Sequence, residues 1–211
     1  MEQYLTMAPV ACVIFAITIV VSLIAFSSDK IFDSLILHPY NVYRGKYVYT
    51  IFTSGLIHAD YMHLFFNMLS FYFFAFNLEP QLGHWQFGLL YVLSLMLSDL
   101  PSVAKHKDDY TYRSLGASGA VSAVIFSAIL FQPLAGMGFV FLPGVDIPAV
   151  VFGVLYLVYC SYASKRGLGN INHDAHLFGA LSGVAITIIV HHGVLPEFIN
   201  TISEKVQSWM H

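Results

Sequence analysis

The sequence is short of charged residues, and this shortage decides its broad class. Lys, Arg, Asp and Glu make up 10% of the 211 residues and hydrophobic residues make up 57%, whereas a soluble domain carries about a quarter charged residues. Such a composition is typical of a membrane protein. The formal net charge of −3 offers no basic surface, so we expect no nucleic-acid partner.

Cysteine is also scarce. Cys12 and Cys160 both lie within apolar runs. Two isolated cysteines form neither a disulfide framework nor a metal-binding motif, so we expect small buried side chains. The apolar N-terminal stretch lacks a basic start and a small-residue cleavage site, which predicts a retained helix rather than a signal peptide.

The few charges divide the chain into uncharged windows whose lengths can be compared with a bilayer. A spanning helix needs about 17–25 mostly apolar residues, and the windows are 3–28, 61–78, 80–98, 114–145, 147–164 and 175–196. Prolines and glycines in the second half of 114–145 predict one helix followed by an apolar loop. The predicted fold is an all-α integral membrane protein, a six-transmembrane-helix bundle with helices at about 8–27, 59–78, 82–100, 116–132, 147–164 and 174–193.

Two further segments predict contact with the membrane surface. Residues 29–57 are rich in aromatic side chains but contain no uncharged stretch long enough to span, which favours an interfacial loop between the first two helices. Residues 195–209 place apolar side chains at helical spacing, which predicts an amphipathic C-terminal helix at the interface. No internal repeat or second domain is visible, so we expect residues 1–211 to form a single membrane domain.

Polar side chains inside a bilayer are costly, so each polar motif near a predicted span is a candidate functional site. The first motif is His58, His63 and Asn67 at the start of the second helix. His63 and Asn67 are four residues apart and share one helix face. Taken alone, these residues are better explained as polar groups that satisfy one another between helices.

The second motif is Gly116-Ala-Ser118-Gly119 at the start of the fourth helix. Small neighbours leave the Ser118 hydroxyl accessible, and first-turn N–H groups lack partners within the helix, so they can face a developing oxyanion. The alternative is a packing surface, because Gly119, Ala123 and Ser127 form a stripe of small residues.

The third motif is Ala175-His176 at the start of the sixth helix, followed by Gly179 and Gly183. The small residues allow close contact with the fourth helix. That contact would bring His176 near the serine, whose hydroxyl needs a base at neutral pH. Asp174 points away around the helix and is not expected to orient His176. The alternative is a lone interhelical histidine.

In combination, these motifs resemble the rhomboid family of intramembrane proteases. The pattern His-x4-His-x3-Asn falls in the second helix, Gly-x-Ser-Gly in the fourth and Ala-His-x2-Gly in the sixth. Arg44, Glu79 and Leu82-Gly83 also resemble the family pattern. The resemblance covers essentially the whole chain and implies the rhomboid type of six-helix bundle.

The resemblance implies a serine endopeptidase with a dyad in which Ser118 is the nucleophile and His176 the general base. It implies an oxyanion site made by the backbone N–H of Ser118 and the side chains of His63 and Asn67. The supporting positions would be His58, Gly116, Gly119 and Gly179.

The same resemblance implies that the substrate is a single-pass transmembrane protein, cut in or near its membrane segment. Residues 134–145 and the fifth helix would form a lateral gate. No metal or cofactor is expected. The protein would be a multi-pass component of the lipid bilayer, in a bacterial inner membrane, and its oligomeric state stays open.

One position departs from the family. Many members carry an aromatic residue four positions after the nucleophile, stacked on the catalytic histidine, and this sequence has Ser122 there. His176 would then be held by an aromatic side chain from elsewhere or by a hydrogen bond to Ser122.

Three other functions compete with this interpretation. A catalytically inactive rhomboid-like protein that binds membrane clients would typically lack the dyad, and both residues are present. A metalloenzyme could use His58, His63, His173 and His176, but no carboxylate has zinc-protease spacing and the serine motif would be unexplained. A transporter would be expected to show inverted repeats, which are not visible.

Charge and resemblance predict opposite orientations in the membrane. Eight of the nine basic residues precede the second, fourth or sixth helix. The positive-inside rule therefore puts that face in the cytoplasm and both termini outside. The resemblance implies cytoplasmic termini and an active site that opens to the exterior, and we follow the resemblance.

Overall fold

The computed structural model describes residues 2–139, 142–167, 169 and 171–210, and helices dominate it. In chain order the helices are α1 (Glu2–Met7), α2 (Pro9–Phe26), α3 (Asp29–Leu35), α4 (Pro39–Tyr43), α5 (Thr50–Thr53), α6 (Tyr61–Leu82), α7 (His84–Lys105), α8 (Ser118–Phe131), α9 (Ala149–Arg166), α10 (His173–Val190) and α11 (Val194–Met210). A 3₁₀ turn, Ser54–Leu56, precedes α6, and the strands β1 (Gly136–Phe139) and β2 (Leu142–Pro148) lie between α8 and α9.

The longer helices lie where spanning segments are predicted. Among the described residues, α2, α7 and α10 are long and apolar enough to cross a membrane, and α8 is apolar but has 14 residues. α6 and α9 have 22 and 18 residues. Large apolar side chains such as Val13 of α2 and Val154 of α9 remain exposed, as expected for faces that contact lipid. The helix α11 lies where the amphipathic tail is predicted and exposes Leu195, Ile199 and Val206.

A buried carboxylate fixes the start of α2. Glu79 of α6 is fully buried and accepts hydrogen bonds from the N–H groups of Val10 at 3.1 Å and Ala11 at 2.7 Å. It also bonds His84 Nδ1 at 2.7 Å. Because first-turn N–H groups lack acceptors within their own helix, Glu79 supplies them and joins α2 to α6 and α7.

The helices α8 and α10 form the centre of the bundle and approach each other closely. A Cβ atom placed on Gly179 would lie 2.1 Å from the carbonyl oxygen of Gly119, and one on Gly183 would lie 2.4 Å from that of Ala123. Only glycines at these positions allow such an approach. We call these four residues the small-residue seam. It joins the two stripes of small residues found in the sequence.

The apolar loop predicted after the fourth helix is partly a β-hairpin. The strands β1 and β2 are antiparallel, and Gly136 pairs with Pro148 and Met137 with Ile147. Residues 140 and 141, also in the predicted gate, lie outside the described part of the chain. Backbone N–H and C=O groups in apolar surroundings need partners, and strand pairing supplies them where an open loop would not. The fold is therefore mostly helical as predicted, and a two-stranded hairpin replaces part of the predicted loop.

The predicted interfacial loop, 29–57, folds largely into short helices. Leu37 within it pairs with Ser114 in an isolated β-bridge. Arg44 donates a hydrogen bond from Nη1 to the carbonyl oxygen of Lys107 at 2.5 Å. These contacts attach the segment to the end of the bundle where α8 begins.

Candidate active site

Ser118 begins α8 directly after a turn that favours glycine. Gly116 has a φ of +111°, and a Cβ atom there would lie 2.7 Å from Cε1 of the His63 ring. Its N–H donates to the carbonyl oxygen of Ser54 at 2.9 Å. Both the backbone angle and the close ring favour glycine. Because the helix begins here, the N–H of Ser118 lacks an acceptor within the helix and can bind an anion.

His63 presents an N–H group to the start of α8. Its backbone N–H donates to the N-cap Asp60 at 2.7 Å, and its Nδ1 accepts from the N–H of Ala59 at 3.4 Å. Since Nδ1 acts as the acceptor, the ring proton is assigned to Nε2. That nitrogen lies beside Gly116, 2.9 Å from where a Cβ atom would be.

Asn67 lies one helical turn after His63 and is buried, with 7% of its surface exposed. Its Nδ2 donates to the carbonyl oxygen of His63 at 3.0 Å. An amide group has two N–H donors, so the second one is available to another acceptor. His63 and Asn67 therefore form a pair of donors on one face of α6.

His58 is a buried link between segments and has a structural role. The hydroxyl of Ser22 donates to the carbonyl oxygen of Leu56 at 2.9 Å, so its oxygen accepts from His58 Nδ1 at 3.0 Å. The other ring nitrogen, Nε2, lies 3.5 Å from the N–H of Ala117. Burial lowers the pKa of His58 to about 3, which keeps the ring neutral. His58 thus joins α2 to the residue before Ser118.

The small-residue seam brings the start of α10 close to Ser118. A Cβ atom on Gly119 would lie 3.4 Å from the carbonyl oxygen of Ala175. Ser118 and His176, each one residue away from this contact, therefore lie on facing turns, and both are partly exposed. No hydrogen bond joins them among the described residues. A hydrogen bond between a nucleophile and its base is often long in an unliganded enzyme and shortens when substrate binds.

An aromatic side chain from α9 supports His176. The rings of Tyr156 and His176 are nearly parallel, with 14° between their planes and 6.3 Å between their centroids. The hydroxyl of Tyr156 is hydrogen-bonded to that of Ser122 at 2.9 Å. Of the two expected supports, the aromatic side chain from elsewhere is found, whereas the Ser122 hydroxyl bonds Tyr156 and not His176. The aromatic support comes from a different helix than the family pattern implies.

Asn172 is a positioning residue that the motifs did not reveal. As the N-cap of α10, its Oδ1 accepts from the N–H of Ala175 at 3.0 Å. Its Nδ2 donates to the hydroxyls of Ser102 at 2.8 Å and Ser114 at 3.0 Å. The start of α10 is thereby tied to α7 and to the segment before α8. An asparagine just before a helix is the signal that could have identified it.

Asp174 faces away from His176. Its carboxylate pairs with Lys105 Nζ at 2.8 Å and accepts a short hydrogen bond from the hydroxyl of Ser164. These partners belong to α7 and α9. The side chain therefore helps to pack three helices and does not orient the His176 ring.

A cleft of about 900 Å³ lies between α6 and α9, with α8 and β1 forming part of its wall. It is mostly apolar, with a few amide and hydroxyl side chains. Its lining includes Phe66, Ser70, Asn77, Ile129, Met137 and Phe152. Phe66 is next to Asn67 in the chain, but the lining of the cleft contains neither Asn67 nor His63.

The four histidines that suggested a metalloenzyme do not form one ligand set. Among the residues that the structure describes, one group could hold a metal ion, and it consists of Cys160, His173 and His176. His58 is instead bonded to Ser22, in contact with the edge of His63 at 4.9 Å between centroids.

Comparison with known proteins identifies relatives of the chain. The profile of the Rhomboid domain matches residues 45–193. A Bacillus subtilis (strain 168) protein, YdcA, which is provisionally named a rhomboid protease, is 28% identical over 193 residues. The match covers 89% of this chain and 92% of that protein.

Two eukaryotic relatives are matched over less of their length. The mitochondrial RHOMBOID-like protein 12 of Arabidopsis thaliana is 25% identical, over 74% of this chain and 50% of that protein. The mitochondrial presenilin-associated rhomboid-like protein A of Danio rerio is 31% identical, over 62% of this chain and 34% of that protein. This chain is therefore similar to most of the bacterial relative and to half or less of these two proteins.

Proposed function

The chain belongs to the rhomboid family and is an integral membrane protein, and on that premise we propose that it is an intramembrane serine endopeptidase. The close contact between Gly119 and the start of α10 carries this proposal, because it puts Ser118 and His176 on facing turns. His63 Nε2 lies beside Gly116, two residues before Ser118, and Asn67 lies one turn along the same face of α6.

In the proposed reaction, His176 takes the proton of the Ser118 hydroxyl as the serine oxygen bonds to the scissile carbonyl carbon. The former carbonyl oxygen becomes an anion. The Ser118 N–H, His63 Nε2–H and the Asn67 amide donate hydrogen bonds to it. His176 then gives the proton to the leaving amine, and water activated by His176 hydrolyses the ester.

The cleft between α6 and α9 supports a transmembrane segment as the substrate. Its walls are apolar, as required for a lipid-embedded helix, and its amide and hydroxyl groups could bind the backbone of a segment that unwinds for cleavage. In this proposal α9 and the β1–β2 hairpin act as the gate, and the substrate enters from the lipid.

The proposed architecture has six spans, formed by α2, α6, α7, α8, α9 and α10 within a single domain. An even number of spans leaves both termini on one side. Ser118 and His176, at the starts of α8 and α10, then open to the other side. A bacterial inner membrane is the proposed location, since the relative that matches over nearly its whole length is bacterial.

An inactive client-binding protein is the alternative function within the family. It is not favoured, because both proposed dyad residues are present and the backbone contacts that bring their helices together are intact.

The test is cleavage of a transmembrane reporter by the purified protein. Ser118→Ala and His176→Ala should each lower turnover by at least about a thousandfold, because residues that act as one unit each carry nearly the whole rate. A serine-directed fluorophosphonate should label the wild-type protein and Ser203→Ala, a control on the exposed face of α11, but not Ser118→Ala. Near wild-type turnover in either dyad variant would overturn the proposal.

A further inference from the structure

A soft ligand cluster lies next to the proposed base. Cys160 of α9 and the two α10 histidines, His173 and His176, offer ligand atoms that all lie within 4.8 Å of one another. Cys160 is fully buried and His173 is 5% exposed, while His176 is partly exposed. The cluster is therefore enclosed on the protein side and accessible through His176.

The chemistry of this set selects a class of ion. One thiolate and two imidazoles are ligands that suit Zn²⁺ and similar thiophilic cations, whereas Mg²⁺ and Ca²⁺ prefer oxygen ligands. Three protein ligands leave a fourth tetrahedral position for water. We propose that Cys160, His173 and His176 bind Zn²⁺ and that the bound ion switches the protease off.

Only a small movement is needed to form the site. Zinc bonds of about 2.0–2.3 Å place tetrahedral ligand atoms roughly 3.5 Å apart, so the most distant pair must close by about 1 Å. The ligands lie on α9 and α10, which pack against each other, and side-chain rotation can supply that distance. On binding, the Cys160 thiol loses its proton to water, and each imidazole coordinates through an unprotonated nitrogen.

Inhibition follows from the role of His176, and this part rests on the proposed function. A ring nitrogen bound to Zn²⁺ has no lone pair to accept the Ser118 proton. If the ion takes the nitrogen remote from Ser118, the other nitrogen carries the ring proton and cannot accept a second one. Either geometry leaves the serine without an effective base.

The site is tested first by a readout that needs no proteolysis. The purified full-length protein, stripped of metal, is titrated with Co²⁺, whose bond to a thiolate gives a charge-transfer absorption band. We expect one equivalent to produce the band in the wild-type protein and in Cys12→Ala, which changes the other cysteine, on α2. The band should be lost in Cys160→Ala and in His173→Ala. No band in the wild type, or an unchanged band in Cys160→Ala, would overturn the site.

Inhibition is then measured on the transmembrane reporter. Zn²⁺ should inhibit the wild type and Cys12→Ala, and a chelator should restore turnover. Cys160→Ala should still cleave the reporter. It should need at least about tenfold more Zn²⁺ for the same inhibition, because one ligand has been removed. Equal Zn²⁺ sensitivity in Cys160→Ala would refute the switch while leaving the protease intact. If the Co²⁺ band depends on Cys160 but the protein does not cleave the reporter, the metal site is supported and the proposed function is contradicted.

Discussion

Tyr156 reaches His176 from α9, whereas Ser118 lies on α8. The near-parallel ring restricts the imidazole on one side, and the bond to Ser122, 2.9 Å long, fixes the tyrosine in turn. A ring contact of this kind contributes about 0.5–1.5 kcal/mol. A proton acceptor that drifts by about 1 Å can lose much of its effect, so the main benefit is a fixed orientation.

Replacing Tyr156 tests this support. Tyr156→Leu should lower kcat about tenfold with little change in KM, since the lost contact is worth roughly 1.4 kcal/mol in the transition state. Tyr156→Phe keeps the ring and should recover most of kcat. Steady-state kinetics on the reporter measures both constants. Tyr162→Leu, on the exposed face of the same helix (54% exposed), is the control. Equal losses of kcat in the Phe and Leu variants would contradict a role for the ring.

Among individual residues, the sequence predicts those that belong to short motifs. Ser118, His63 and Asn67 could be proposed because their motifs in combination resemble the rhomboid family, although each motif alone is also explained by helix packing. Tyr156 is one of 13 tyrosines, and nothing in its neighbourhood distinguishes it. Asn172 has a capping signal, but its bonds to two distant serines depend on how α7 and α8 pack. Local sequence patterns do not predict which side chains make contact between helices.

The small-residue seam is the feature of the helix pair α8 and α10 on which the site depends. In lipid, close helix contact relies on small residues because apolar side chains gain little by leaving the membrane. The added Cβ of an alanine at Gly179 would meet backbone atoms of Gly119 at 2.1 and 2.8 Å. Backbone cannot move aside as a flexible side chain can.

The seam predicts a large effect from one methyl group. Gly179→Ala should separate the helices and lower kcat at least tenfold, with an overpacking cost of about 1–3 kcal/mol that lowers the thermal unfolding midpoint. Gly88→Ala on α7 is the matched control, because its Cβ would meet only Val10 at 3.5 Å, an ordinary contact. Reporter kinetics and thermal unfolding in detergent are the measurements. A fully active, normally stable Gly179→Ala protein would show that the seam does not set the dyad geometry.

The long helices are the elements that the sequence predicts well. Uncharged windows locate them, and the two small-residue stripes predict the contact between α8 and α10. A hydrogen bond from the Thr187 hydroxyl to the Ser127 hydroxyl, 2.7 Å long, extends this contact. Thr187 is not part of either stripe, so the sequence did not predict this bond. The hairpin is missed because its glycines and prolines signal a break in a helix without specifying a strand.

For the whole molecule, charge is distributed very unevenly between the two ends of the bundle. Arg44, Lys105 and Arg113 lie at the end where α8 begins, together with most of the other basic residues, and Lys205 lies on α11 at the opposite end. Several of these cations have structural partners. Arg44 lies over the ring of Tyr40 at 3.7 Å, and Lys105 pairs with Asp174. These basic residues therefore stabilise the fold, in addition to any effect they have on the orientation of the protein in the membrane.

Fusion reporters decide the orientation. Following the family, a C-terminal fusion to a fluorescent protein that matures only in the cytoplasm should fluoresce, and one to alkaline phosphatase should be inactive. Fusions placed after Lys107, between α7 and α8, should give the reverse result and serve as the control. A phosphatase-active, non-fluorescent C-terminal fusion would support the positive-inside rule and move cleavage to the cytoplasmic face.

The position of Tyr156 has a consequence for the timing of turnover. The serine helix and the histidine helix are locked together, but α9 carries both the aromatic support and one wall of the cleft. In the proposed mechanism, an outward swing of α9 that admits a substrate would also withdraw Tyr156 from His176. With α9 open, the proposed enzyme would bind a substrate but cleave it slowly. Cleavage would then follow the return of α9, and a bound segment that dissociates before this return would not be cut.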